Sequence, residues 1–254
     1  MILLPAALTG TTIAFPEIEL DLGSNRATLS WILSGYAITT AAFTLLGGQL
    51  SDRLGSQRMF TRGMLLFFLG ALLCTFSPNV SFLIAGRTMQ GIGAAIYAPS
   101  SLAMVLLRFH KTHHALAIGI WAASVPIGSA LSPTLASLIL EIADWRWMFA
   151  VQTIGGAAVV IAIVLHKAKE ISVEIIATES LDILGIPIGT AAIGCLALGI
   201  VQGPRWGWTS WGTILAFIAS AALFPIFLYR NKGQPLPLID FKLFSIPTFT
   251  TANA

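Results

Sequence analysis

Of the 254 residues, 56% are hydrophobic and only 10% are charged, and the mean hydropathy is +0.84. A soluble domain carries about 25% charged residues, so this chain has too few charges to cover a surface facing water on all sides. The net charge of +3 and pI of about 9.1 do not signal a nucleic-acid partner, because the basic residues lie in the gaps between apolar blocks and form no stripe.

The apolar blocks run to about twenty residues, enough to cross roughly 30 Å of hydrocarbon as a helix. In chain order they predict membrane helices near Ile2–Phe15, Leu29–Leu50, Met59–Ser77, Val80–Leu107, His114–Leu140, Trp147–Leu165, Leu181–Val201 and Thr209–Tyr229. A ninth helix is expected to begin at Pro247. Long unbroken runs argue against a barrel, whose strands would alternate. The first block reaches only about 22 Å as a helix and contains Pro5. It has no charged leader and no small-residue cleavage site, so it does not read as a signal peptide. The chain reads as clipped at both ends.

The second, fourth, sixth and eighth connections hold Arg53, Arg58, Arg62, Arg108, Lys111, Lys167, Lys169, Arg230, Lys232 and Lys242, against Arg26, Arg146 and Arg205 in the odd ones. That bias places the even connections and the N-terminus in the cytoplasm of a cell membrane. Trp31, Trp145, Trp147, Trp206, Trp208 and Trp211 cluster at the opposite helix ends, as an interfacial belt would. Cys74 and Cys195 both fall in apolar blocks without CxxC spacing and read as buried thiols.

Three segments carry chemistry. After the second helix, "GGQLSDRLGSQR" combines a helix end, a glycine turn and clustered charge. Gly48 would permit close helix approach, Asp52 and Arg53 can pair with each other or with a helix terminus, and Gly55 allows a left-handed turn. In the fourth helix, "LIAGRTMQGIGAA" puts Arg87 inside the span, where a cation costs on the order of 2.5–3.5 kcal/mol. It must meet a partner, line an aqueous cavity or snorkel to the interface. Gln90 and Gly91 follow at i+3 and i+4 on the same face. In the fifth helix, Ser124, Gly128, Ser132 and Ala136 make a small-residue stripe for close packing, and Pro126 and Pro133 each remove a backbone hydrogen bond.

These segments resemble the major facilitator superfamily, specifically its fourteen-helix drug:proton antiporter branch. "GQLSDRLGSQR" is similar to that family's motif between helices two and three, and "LIAGRTMQGIG" matches its helix-four motif L-x-x-x-R-x-x-Q-G. Gly119, Gly128 and Pro133 match the spacing of its helix-five antiporter motif, and "DWRWMF" and "GPRWGWTS" resemble the same branch. The departures are specific. Ser132, Ala136 and Ser137 replace glycines of the helix-five motif, Ser56 and Gln57 replace basic residues of the loop motif, and Thr12 and Ala7 replace the asparagine and aspartate usual in helix one. All eleven acidic residues fall in connections, so no span offers the buried carboxylate that proton coupling commonly uses. His110, His113 and His114 read as a solvated cytoplasmic patch, although closely spaced imidazoles could share a metal ion.

The resemblance implies an all-α polytopic membrane protein. Residues 1–165 would form an N-terminal six-helix bundle of two inverted three-helix repeats, 166–180 a cytoplasmic connection, 181–229 two linker helices, and 230–254 a loop leading into a ninth helix. The second bundle is missing from this chain, and Gly48 and Asp52 would close against it. Candidate pathway residues are Thr11, Thr12, Tyr36 and Thr40, with Arg87 and Gln90 beside them. The expected function is secondary transport, with efflux of small amphipathic compounds and protons as the candidate coupling ion. The alternatives are an uncoupled facilitator, or a non-transporting half-bundle that needs a partner. The expected partners are the lipid bilayer and a small-molecule substrate. No HExxH, GxSxG or P-loop marks a catalytic centre or ATP use, and no cofactor, metal or nucleic acid is expected.

Overall fold

The computed structural model describes residues 3–165 and 184–232, and the secondary structure among them is helical throughout. The chain opens with α1 (Leu3–Ile13) and α2 (Phe15–Leu22), broken at Ala14. Pro16 cannot donate to the Thr12 carbonyl, which is where the helical ladder fails. Asn25 caps α3 (Arg26–Leu54) by accepting from the Thr28 amide at 2.8 Å, and α3 stops at Gly55, whose φ is +92°. Then come α4 (Ser56–Thr75) and α5 (Val80–Arg108), the latter capped by Asn79 accepting from the Phe82 amide at 2.9 Å. A 3-10 turn at Lys111–His113 leads into α6 (His114–Ile142), which runs as one helix through Pro126 and Pro133. The remaining helices are α7 (Arg146–Leu165), α8 (Gly185–Trp206) and α9 (Trp211–Lys232).

Seven of these helices, α3 to α9, are long and apolar enough to cross a membrane. The first predicted crossing is corrected at its outer end. The segment read as a loop after Phe15 is itself helical, as α2, which follows the break at Ala14 and lies beyond the predicted crossing. The residues 166–183 and 233–254, including the predicted ninth helix, the connection with Lys167 and Lys169, and Lys242, lie outside the described residues.

α3 and α4 both pack along α5, α4 also packs on α7, and α1 packs on α6. The same helices touch when α1, α3 and α4 are exchanged in order for α5, α6 and α7, although α7 rests on α1 far more lightly than α4 does on α5. The α3–α5 contact maps onto α6–α1, α4–α5 onto α7–α1, and α3–α4 onto α6–α7. α8 docks on α3, and α9 packs on α8. One buried cluster joins Ala14, Ile18, Leu29, Ile32, Leu83, Trp145 and Phe149 near the ends that carry the tryptophans. A second joins Ala7, Tyr36, Met64, Phe67, Ala94 and Tyr97 further along the bundle.

Candidate functional site

Arg87 lies between the two clusters and is 0% exposed. Its guanidinium donates from Nε to the Ile32 carbonyl at 3.0 Å, from Nη2 to the Ala7 carbonyl at 2.6 Å and from Nη1 to Gln90 Oε1 at 2.9 Å. Gln90 Nε2 passes the chain on to Gln152 Oε1 at 3.1 Å. The guanidinium carbon stands 4.5 Å from the centre of the Tyr36 ring and 5.9 Å from that of Phe149. One side chain therefore joins α1, α3, α5 and α7, using backbone dipoles and aromatic faces as its partners. The cation neither snorkels to an interface nor pairs with a carboxylate, since no Asp or Glu is buried among the described residues.

The predicted pathway residues separate. Thr11 is buried and donates to the Ala7 carbonyl at 2.9 Å. Tyr36 is buried against the Arg87 guanidinium. Thr40, partly buried, donates to the Tyr36 carbonyl at 2.7 Å and sits 3.2 Å from the Gly91 carbonyl, across the α3–α5 contact. Gly91 is packed hard there, because a Cβ on it would fall on Thr39 Oγ1 and 2.6 Å from the Tyr36 carbonyl oxygen. Thr12 faces out. It joins Thr9, Leu33, Ser34, Pro133 and Arg205 around a cavity of about 730 Å³ between α1, α3, α6 and α8. Arg205 donates from Nη1 to Ser34 Oγ at 3.2 Å on that wall.

The small-residue stripe of α6 divides too. Gly128, Ser132 and Ala136 are buried, and Ser132 Oγ would lie 2.9 Å from a Cβ on Gly10, so the stripe is the seam with α1. Gly119 faces open space. At the other end of α3 the close approach within this half falls one residue before Gly48. Close approach belongs to Gly47, where a Cβ would strike the Ala95 carbonyl, whereas nothing lies within 4 Å of one on Gly48. One residue is about 100° of helix, which turns Gly48 off the α5 face. Asp52 is exposed, Arg53 is partly buried beside it, and Gly55 holds the positive φ foreseen for it.

The tryptophan belt also needs one correction. Trp145 is fully buried, donating from Nε1 to Asp21 Oδ2 at 3.1 Å. Arg146 meets the same oxygen at 2.8 Å, stacks its guanidinium 4.4 Å from the Trp145 ring and donates to the Ser77 carbonyl at 3.3 Å. This clasp ties α2 to the start of α7 and the end of α4. The Arg146 hydrogen bond, then that from Trp145, holds the Asp21 carboxyl below its ordinary value of 3.8. Trp31 and Trp206 do share one end of the bundle, with ring centres 6.0 Å apart. Both cysteines are free thiols, Cys74 buried and Cys195 partly so.

The family model of the Major Facilitator Superfamily matches residues 1–181. The chain belongs to the Major Facilitator Superfamily. It is therefore a multi-pass membrane protein of a transporter family and not of an enzyme family. It is 32% identical to the methylenomycin A resistance protein of Bacillus subtilis, over 97% of this chain and 52% of that protein. It is 30% identical to the multidrug resistance protein Stp of Mycobacterium tuberculosis over 100% of this chain and 47% of that protein. It is also 30% identical to the tetracenomycin C resistance and export protein of Streptomyces glaucescens, over 94% of this chain and 44% of that one. The chain thus spans about half the length of the curated relatives it matches. Its fold matches the crystal structure of the POT family transporter PepTSo with a TM-score of 0.59 at 14% identity, covering 92% of this chain and 54% of that one.

Within this member of the superfamily, the loop, helix-four and helix-five motifs do not converge on one centre. Arg87, Gln90 and Gly91 gather with Tyr36 and Thr40 in the packed interior, Thr12 and Pro133 meet at the cavity, and Asp52 lies at the far end of α3. Gln152, Thr9, Ser34 and Arg205 were missed as members of these groups. Gln152 had a signal, a carboxamide inside the apolar run Trp147–Leu165. Arg205 had none, because nothing in the sequence announces that α8 docks on α3.

Proposed function

We propose that this chain is one half of a cell-membrane exporter of small amphipathic compounds, neutral or acidic, whose pathway runs along the cavity between α1, α3, α6 and α8. The observation that carries this reading is the cavity lining. About 730 Å³ is ample for a small molecule, and the walls are apolar apart from a few hydroxyls and the Arg205 guanidinium, with no carboxylate among them. A wall of that charge favours an acidic or neutral guest over a cation. The resistance and export proteins to which the chain is similar support an outward direction and a drug-like guest.

A second six-helix bundle completes the transporter on this reading, with 1–165 as the first bundle and 181–229 as the linker pair. Alternating access requires two bundles rocking about a shared site, and relatives about twice as long support it. The even connections and the N-terminus face the cytoplasm, as the Lys and Arg bias demands. Coupling to protons draws on a carboxylate in the second bundle. The lack of any buried Asp or Glu among the described residues favours uncoupled facilitated export as the second reading.

Cells expressing either residues 1–254 or a version extended by a second bundle are loaded with the anionic dye 8-anilinonaphthalene-1-sulfonate or with cationic ethidium. The extended protein should lower accumulation of the anionic dye more than that of ethidium, and 1–254 should lower neither. Preferential export of ethidium would overturn the charge assignment, and transport by purified, reconstituted 1–254 would overturn the half-transporter reading. A protonophore that leaves export intact selects the facilitator.

A further inference from the structure

A smaller cavity lies beside the first, where the start of α3 meets the end of α8. It has a volume of about 240 Å³, and Asn25, Thr28, Trp31, Gln202, Arg205 and Trp206 stand around it. Gln202 is the unexplained residue. It is 1% exposed, yet neither its Nε2 nor its Oε1 has a hydrogen-bond partner. A buried carboxamide left unpaired at both ends is costly, and such groups in native proteins are normally satisfied. Among the hydroxyls and rings of its lining, the cavity presents positive charge at two points. α3 begins there, so its dipole presents a partial positive charge. The Asn25 side chain takes the Thr28 amide, which leaves the amides of Arg26 and Ala27 at the helix mouth. Arg205 adds a full positive charge, and the nearby Glu19 is turned to Arg26 at 3.5 Å and is not part of the lining.

We infer that this cavity binds the head group of a phospholipid, with the phosphodiester anion at the α3 N-terminus and Arg205. Gln202 Nε2 donates to the phosphate, and its Oε1 accepts from a hydroxyl or ammonium carried by the same head group. Two features of the site select a lipid. Trp31 and Trp206 both line the cavity, their rings packed on each other with centres 6.0 Å apart, and paired tryptophans at helix ends mark the level of the head groups. The carboxamide asks for an acceptor and a donor together, which a glycerol or ethanolamine phosphodiester supplies and a choline one does not. The site adjoins the proposed transport pathway and shares Arg205 with it, so a phosphodiester bound here would partly offset the positive charge on that wall.

The test is thermal unfolding of purified 1–254 in dodecyl maltoside, with dihexanoyl phosphatidylglycerol, dihexanoyl phosphatidylcholine or inorganic phosphate added. Phosphatidylglycerol should raise the Tm of the wild-type protein in proportion to the logarithm of its concentration, as ligand linkage requires. Gln202→Leu should weaken the apparent affinity by about tenfold, while its own Tm without lipid equals or exceeds that of the wild type. Gln202→Asn, a smaller change, guards against a folding defect and should weaken binding in the same direction. The choline lipid should bind several-fold more weakly than the glycerol one. Equal shifts from both lipids, or a phosphatidylglycerol shift that survives Gln202→Leu, would overturn the proposal. So would inorganic phosphate matching phosphatidylglycerol, which would make the site one for free anions.

Discussion

Replacing Arg87 by Met would remove all three hydrogen bonds of the guanidinium, leaving Gln90 Oε1 with only the Cys74 thiol at 3.9 Å while the Ala7 carbonyl keeps the Thr11 hydroxyl. A hydrogen bond to a charged group is worth about 1.5–3 kcal/mol, reduced in a membrane because the unfolded helices also find partners. We expect Arg87→Met to destabilise the chain by about 3 kcal/mol, seen as a lower Tm in detergent. Arg87→Lys should recover little of it, since an ammonium cannot spread three donors in a plane; full recovery by lysine would show that charge alone matters. Asp21 gives a pH-dependent case. Its carboxyl is held below 3.8 by Arg146 first and Trp145 second, so the clasp's contribution is fully present above the ordinary carboxylate range. It is lost as pH falls through and below that range. Between pH 5 and pH 3 the wild type should lose more Tm than Asp21→Asn does, and parallel losses would refute the assignment. The sequence made the burial problem at Arg87 legible, because a cation inside a span needs an answer. It could not show that the answer is two carbonyls and a glutamine, since carbonyl partners are set by how helices are rotated, and the composition of α1 and α3 does not encode that.

At the scale of helices, period and length carried most of what could be read beforehand. Seven spans fell where apolar runs predicted them, because the hydrocarbon thickness fixes helix length whatever the packing. The first helix was misjudged at its outer end. Pro16, Glu17, Glu19 and Asp21 read locally as a polar loop, yet Phe15–Leu22 stays helical because Ile18 is buried in the cluster with Trp145. Motif glycines were legible as a set but not by role. Gly91 and Gly119 both belong to recognised motifs, and the structure sets them apart. A methyl at Gly91 would press on the Tyr36 carbonyl and Thr39, whereas at Gly119 it meets nothing within 4 Å. Gly91→Ala should therefore cost about 2–3 kcal/mol by forcing α3 from α5. Gly119→Ala should stabilise α6 by up to about 1 kcal/mol through helix propensity. Equal effects on Tm would mean that the α3–α5 contact is looser than these distances require.

At the scale of the whole chain, one side of the bundle is packed and another is not. α6 buries only Ala117, Gly128, Ser132 and Ala136, and leaves Leu116, Ile120, Ile127, Leu131, Leu135 and Leu138 exposed. Lipid can cover such a surface as well as protein can, so apolar exposure alone does not distinguish a bilayer from a second bundle. Gly48 and Asp52 do distinguish them. Asp52 is exposed at the end of α3, and a Cβ on Gly48, one helical turn before it, would have no described residue within 4 Å. If a second bundle closes on this end of α3, a large side chain at Gly48 is harmless to the first half and harmful only to the assembled transporter. Gly48→Trp should thus leave the Tm of 1–254 within about 0.5 kcal/mol of the wild type while abolishing export by the two-bundle protein. Export that survives the tryptophan would mean that the second bundle docks elsewhere. A fall in the Tm of 1–254 would instead mean that Gly48 packs within this half, contrary to the open space beside it.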